Sequence, residues 1–122
     1  MPLSWELVDE PDHLLARVEG EWQAQSLLKL IDAIGERCRY HGFSRVLLDA
    51  RAVRGPLSET DRYLAGTRIA SVLTSTRVAV LAAPDALITG FGANVAARRG
   101  GRVFPTKDID EARQWLFAAD EP

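Results

Sequence analysis

Asp49, Arg51, Ser58 and Asp61 are the residues whose types and placing best suit a recognition site. Asp49 closes an unbroken apolar run, Arg45-Val-Leu-Leu-Asp49, and ligands and partners meet an open parallel sheet at the carboxyl ends of its strands. The segment 50–57 reads as a loop leading to Ser58 at a helix start. A hydroxyl there is accessible, and a phosphate on it would be stabilised by free backbone N–H groups. The four residues are therefore a candidate partner or phosphorylation surface. The plain alternative is a capping Ser-x-x-Asp pattern, with Asp49 and Arg51 as solubilising charges.

Other chemistries fare worse. Gly90-Phe-Gly92-Ala-Asn-Val95 has two glycines of a dinucleotide fingerprint, but Val95 stands where Gly or Ala is needed. The preceding strand also ends at Ala82, too far upstream for a helix N-terminus to meet a pyrophosphate. Ala86, Gly90, Ala93 and Ala97 make a small-residue face on a helix expected over 85–99. Interior glycines cost about 1 kcal/mol each against alanine, so that face needs compensation. Close packing on the sheet, a lid, or contact with a second copy in a homodimer would each provide it. Cys38 falls on a buried stripe and reads as a small hydrophobe. His13 begins a strand, and His41 ends a helix, where a protonated ring favours the dipole. Arg98, Arg99 and Arg102 surround Gly100-Gly101, either as helix-end compensation or as a patch for an acidic partner. Neither paired carboxylates, nor a nucleophile with its base, nor a metal-ligand cluster is visible, so no enzyme activity and no cofactor is expected.

The elements that hold these residues follow from hydrophobic patterning. Ser4–Val8 and His13–Glu19 read as strands of a hairpin joined by turn formers, with Gly20 ending the second. Leu14, Ala16 and Val18 face one way, and Leu15 and Arg17 the other. Leu27, Leu30, Ile31, Ile34 and Cys38 form a helical stripe, and Gly42 suits a left-handed stop with Phe43 folding back. Arg45–Asp49, Thr76–Ala82 and Arg102–Phe104 are apolar runs without alternation, as in parallel strands buried on both faces. Helices follow each of them, the last starting at Asp108. Val46, Leu48, Val78 and Val80 are expected on adjacent parallel strands, with Leu30, Ile34 and Trp115 packing over the sheet. The result is an α/β domain over 1–122, with a mixed five-stranded sheet, about four helices and right-handed β-α crossovers.

Composition agrees: of 122 residues, 47% are hydrophobic and 26% charged, which suits one globular domain. A net charge of −2 argues against a nucleic-acid partner held by bulk positive charge. The single cysteine excludes a disulfide framework within the chain. With neither a leader pattern nor an 18-residue apolar stretch, a cytoplasmic protein without a transmembrane segment is expected.

The hairpin, Gly20 before a long helix, Arg45-Val-Leu-Leu-Asp49, Arg77-Val-Ala-Val and Val103-Phe104 with Glu111-Ala-Arg-Gln-Trp115-Leu116 resemble the SpoIIAA-like, or STAS-like, superfamily. The resemblance covers nearly the whole chain and implies a right-handed β-α superhelix. It also implies a non-enzymatic protein that binds a protein partner, regulatory in the manner of anti-sigma-factor antagonists. Those are switched at a serine or threonine at the N-terminus of the second helix, a position nearest to Ser58 here. The regulators carry an Asp-Ser-Ser-Gly type run where this chain has Pro56-Leu57-Ser58-Glu59. The superfamily is also similar to CRAL-TRIO domains, which implies as the alternative a binder of small apolar or lipid ligands.

Overall fold

The structure is a computed structural model and describes residues 2–55, 58–82 and 102–118. Its elements are β1 (Ser4–Asp9), β2 (Leu14–Glu21), α1 (Ala24–His41), β3 (Arg45–Arg54), α2 (Glu59–Val72), β4 (Arg77–Leu81), β5 (Arg102–Thr106) and α3 (Ile109–Phe117). The strands form one sheet in the order β1-β2-β3-β4-β5. The hairpin pair β1–β2 is antiparallel, and every other pairing is parallel. The mixed sheet is as the sequence leads one to expect. The helix expected over 85–99, with Ala86, Gly90, Ala93, Ala97, Arg98 and Arg99, lies outside the described residues.

Two layers cover the sheet, and strand side chains divide between them. Leu14, Ala16, Val18, Val46, Leu48, Val78 and Val80 join Leu27, Leu30, Ile31, Ile34 and Cys38 of α1 and Ala65 and Ile69 of α2 in the larger core cluster. The opposite face holds Leu47, Ala79 and Leu81 against Ala112 and Leu116 of α3. β4 is therefore buried on both faces, which accounts for its unbroken apolar run. Trp115 belongs to the α3 face, half-buried beside that second cluster, and not to the layer of Leu30 and Ile34.

Helix ends obey local rules. Gly42 takes φ 73° and its N–H donates to the Cys38 carbonyl at 2.8 Å, while the Phe43 N–H reaches the same oxygen at 3.0 Å. Asp108 caps α3 by accepting from the backbone N–H groups of Asp110 and Glu111. The helices α1 and α2 approach closely at Gly35, where a Cβ would collide with the Val72 side chain. Arg68 clamps the same pair, donating to both oxygens of Asp32 at 2.8 and 2.9 Å.

One boundary differs in a way that matters for the site. β3 does not end at Asp49 but runs on to Arg54, so residues 50–54 are strand and not loop. The extension pairs with the end of β2: Glu19 with Ala52, Gly20 with Val53 and Glu21 with Arg54. Gly20 thus lies inside β2 rather than after it. Its φ is 114°, and a side chain there would strike the Pro2 carbonyl, so only glycine fits.

Candidate functional site

The register between β2 and β3 slips just beyond Asp49. Arg17 pairs with Asp49 but Glu19 with Ala52, so β3 spends three steps where β2 spends two. The extra residue is a β-bulge, which frees a backbone N–H and re-aims a side chain. Arg51 and Ala52 are both exposed in consequence, between the buried Ala50 and Val53. Asp49 takes up the freed group: the Arg51 N–H donates to Asp49 Oδ1 at 3.2 Å. The Arg51 guanidinium forks onto the same carboxylate, with Nε to Oδ1 at 2.9 Å and Nη2 to Oδ2 at 2.8 Å.

Asp49 also stands in a row of charge across three strands. Glu6 pairs with Arg17, and Arg17 pairs with Asp49. The Arg17 Nη1 lies 3.6 Å from Glu6 Oε1, at the outer limit of a weak, exposed pair. These side chains, with Ser4, Trp5, Val18, Glu19, Arg51 and Ala52, line an open groove of about 700 Å³ on the α3 side of the sheet, over strands β1 to β3. The Arg51 guanidinium holds the Asp49 carboxyl below its ordinary value of 3.8, mainly through its hydrogen bond. Partial burial opposes that, while the Arg51 N–H and the charges of Arg51 and Arg17 add to it. Asp49 raises Arg51 in return.

Ser58 occupies the place its sequence context indicates. It is exposed, is the N-cap of α2, and accepts from the Asp61 N–H at 3.1 Å. Glu59 and Asp61 put two carboxylates in the first turn, which complements the helix dipole. The four candidate residues therefore form two separate pairs. Asp49 with Arg51 lines the groove, while Ser58 with Asp61 sits at the head of a helix packed on the other face.

The remaining candidates have structural places. Cys38 is buried, and burial pushes its thiol up to about 11, which leaves no thiolate near neutrality. His41 lies 3.4 Å from Asp9, which also takes a hydrogen bond from Arg37 at 3.0 Å, so α1 is tied to the end of β1. His13 contacts Asp12 at 2.8 Å and meets the Phe117 ring edge-on. Among the described residues no cluster of three or more His, Cys, Asp or Glu could hold a metal. Sequence reasoning missed Glu6 and Arg17. The sequence placed Arg17 with Leu15, on the face opposite Leu14, Ala16 and Val18, but its partners follow only from strand register.

No family model matches the chain, and no curated protein matches it. Solved structures do. An anti-sigma factor antagonist from Mycobacterium paratuberculosis is similar at TM-score 0.65 and 17% identity, with 94% of each chain covered. The unphosphorylated form of the anti-sigma factor antagonist SpoIIAA is similar at TM-score 0.62 and 11% identity, covering 97% of this chain and 100% of that one. An uncharacterised DUF3478-family protein with a SpoIIAA-like fold from Shewanella loihica PV-4 follows at TM-score 0.55 and 15% identity, with 93% of each chain covered. Near-complete coverage at such identities is a likeness of architecture: this chain has the SpoIIAA-like, or STAS-like, α/β fold.

Proposed function

We propose that this protein is a non-enzymatic cytoplasmic regulator that works by binding a protein partner, in the manner of anti-sigma-factor antagonists, with the head of α2 as the contact. The observation that carries this is the exposed Ser58 hydroxyl at the N-cap of α2, in a fold shared with two such antagonists. A phosphate on Ser58 would gain the first-turn N–H groups but meet the carboxylates of Glu59 and Asp61. Both forces act on one exposed turn, so modification would change the surface a partner reads. The departure from the regulators' Asp-Ser-Ser-Gly type run means that the partner reads a different local shape here.

The apolar-carrier alternative needs a roomy cavity beneath the helices. Among the described residues, that layer is filled by Leu14, Leu30, Ile34, Val46, Val78 and Val80, and the groove described above lies on the other face, where Glu6, Arg17, Glu19, Asp49 and Arg51 stand beside Trp5, Val18 and Ala52. Native mass spectrometry of the chain isolated from its own cells separates the readings. The proposal expects a protein other than a second copy of this chain, bound in fixed stoichiometry. A chain that carries an apolar small molecule and no protein would overturn it.

A further inference from the structure

The sheet has two outer strands among the described residues, β1 and β5, and they are built differently. β5 contains Pro105, which has no N–H to offer a further strand. β1 lacks three of the usual protections of an edge: Ser-Trp-Glu-Leu-Val-Asp holds no proline and no lysine, and its six pairs with β2 run without a bulge. Its two charges are Glu6 and Asp9, and Asp9 is already paired with Arg37 and His41 of α1. Trp5 and Leu7 are only half-buried and pack at the rim of the larger core cluster, so that core is left open along this edge.

We propose that two copies of this chain pair edge to edge along β1, antiparallel about a two-fold axis through Leu7, joining their sheets into one. The register follows from side-chain parity. Trp5, Leu7 and Asp9 pair with Val18, Ala16 and Leu14 and so share the core-side face, while Ser4, Glu6 and Val8 share the other. Directly opposed residues of antiparallel strands lie on one face. A two-fold that keeps core side on core side must therefore pass through a residue rather than between two.

Few axes remain. One at Glu6 sets two carboxylates directly opposite each other, which is destabilising. One at Val8 sets Glu6 opposite Glu10, again like charges, and Trp5 opposite Pro11, which cannot donate. One at Trp5 needs Pro2 and Leu3, yet Leu3 is buried and the Pro2 carbonyl lies against Gly20. The axis at Leu7 opposes Leu7 with Leu7, Glu6 with Val8 and Trp5 with Asp9, and no like charges meet. A two-fold pairing uses the β1 edge of both copies, and among the described residues Pro105 blunts the other outer strand, so the pairing closes as a dimer.

Light scattering after size exclusion, joined to single-cysteine crosslinking in a Cys38→Ala background, tests this. The wild-type chain should show about twice its 13.4 kDa mass. Leu7→Cys should oxidise to a covalent dimer, since residues on the axis stand about 4.5–5.5 Å apart, within disulfide reach. Glu6→Cys and Val8→Cys should crosslink when mixed and not alone. Leu7→Lys should return the mass to that of one chain with an unchanged circular-dichroism spectrum. Should Leu7→Lys fail to fold, Val8→Lys serves instead: its ammonium would oppose the other copy's Glu6, and the dimer should persist to greater dilution. A wild-type chain that is monomeric at every concentration leaves the edge to some other protein's strand and overturns the proposal. A dimer that Leu7→Cys does not crosslink overturns it too.

Discussion

Arg45 and Arg77 stand opposite each other in the first rung of the β3–β4 pairing, and both donate to the carbonyl oxygen of Leu116. Arg77 also reaches the carbonyls of Trp115 and Ala118. The end of α3 is thus held by two guanidiniums that supply donors to the Leu116 and Ala118 carbonyls, share the Trp115 carbonyl with the Ala118 N–H, and oppose the dipole's negative pole. Arg77 is buried at 7% exposure, whereas Arg45 is half-buried.

Arg77→Met should therefore cost about 2–3 kcal/mol, since it strips charged hydrogen bonds from buried acceptors. Arg45→Met should cost about 1 kcal/mol. Arg77→Lys should recover only part of the loss, because a point charge cannot span three carbonyls. Urea denaturation reads all three, and equal midpoints for wild type and Arg77→Met would contradict the clasp.

Leu48 is 6% exposed and sits in the larger core cluster between β2 and β4. Truncation to alanine should lower stability by about 2–5 kcal/mol. The denaturation midpoint should fall while its slope stays constant.

Gly35 faces Val72 where α1 crosses α2. Gly35→Ala gains helix propensity, yet the added methyl overpacks the crossing, at a cost of about 1–3 kcal/mol. Val72→Ala in the same chain should restore much of that loss. A Gly35→Ala protein more stable than wild type would show that the helices part freely.

Asp49 makes stability depend on acid. Its folded value lies below the ordinary 3.8, so the folded state favours the charged carboxylate. The contribution is present in full above the unfolded value and is lost as pH falls through the folded one. In a carboxyl-detected NMR titration Asp49 should have a midpoint below 3.8. Arg51→Gln should move that midpoint upward, and Asp49→Asn should flatten the acid limb of the stability profile. An Asp49 midpoint that ignores Arg51→Gln would remove the fork as its cause.

What the sequence made legible was local or doubly buried. Val46, Leu48, Val78 and Val80 stood out because strands covered on both faces need no alternation. Ser58, Asp108 and Gly42 stood out because capping and left-handed stops are short-range chemistry. The extension of β3 through Ala-Arg-Ala-Val-Arg was hidden, since the bulge puts Arg51 and Ala52 on the same side and breaks the period of two. The row of Glu6, Arg17 and Asp49 depends on pairings between strands distant in sequence, and no spacing encodes it. The same holds for Arg77 reaching across to α3 and for the face on which Trp115 packs.

The central claim is that a partner reads the head of α2. The most direct measurement is the affinity of the captured partner, by titration calorimetry, for wild type, Ser58→Ala and Ser58→Glu, beside the stability of each. Ser58→Ala should lose about 1 kcal/mol of stability with the cap and keep affinity within a few-fold. Ser58→Glu should retain the fold and lose affinity by about tenfold or more, equivalent to about 1.4 kcal/mol. Equal affinities for all three proteins would reduce Ser58 to a helix cap and contradict the account.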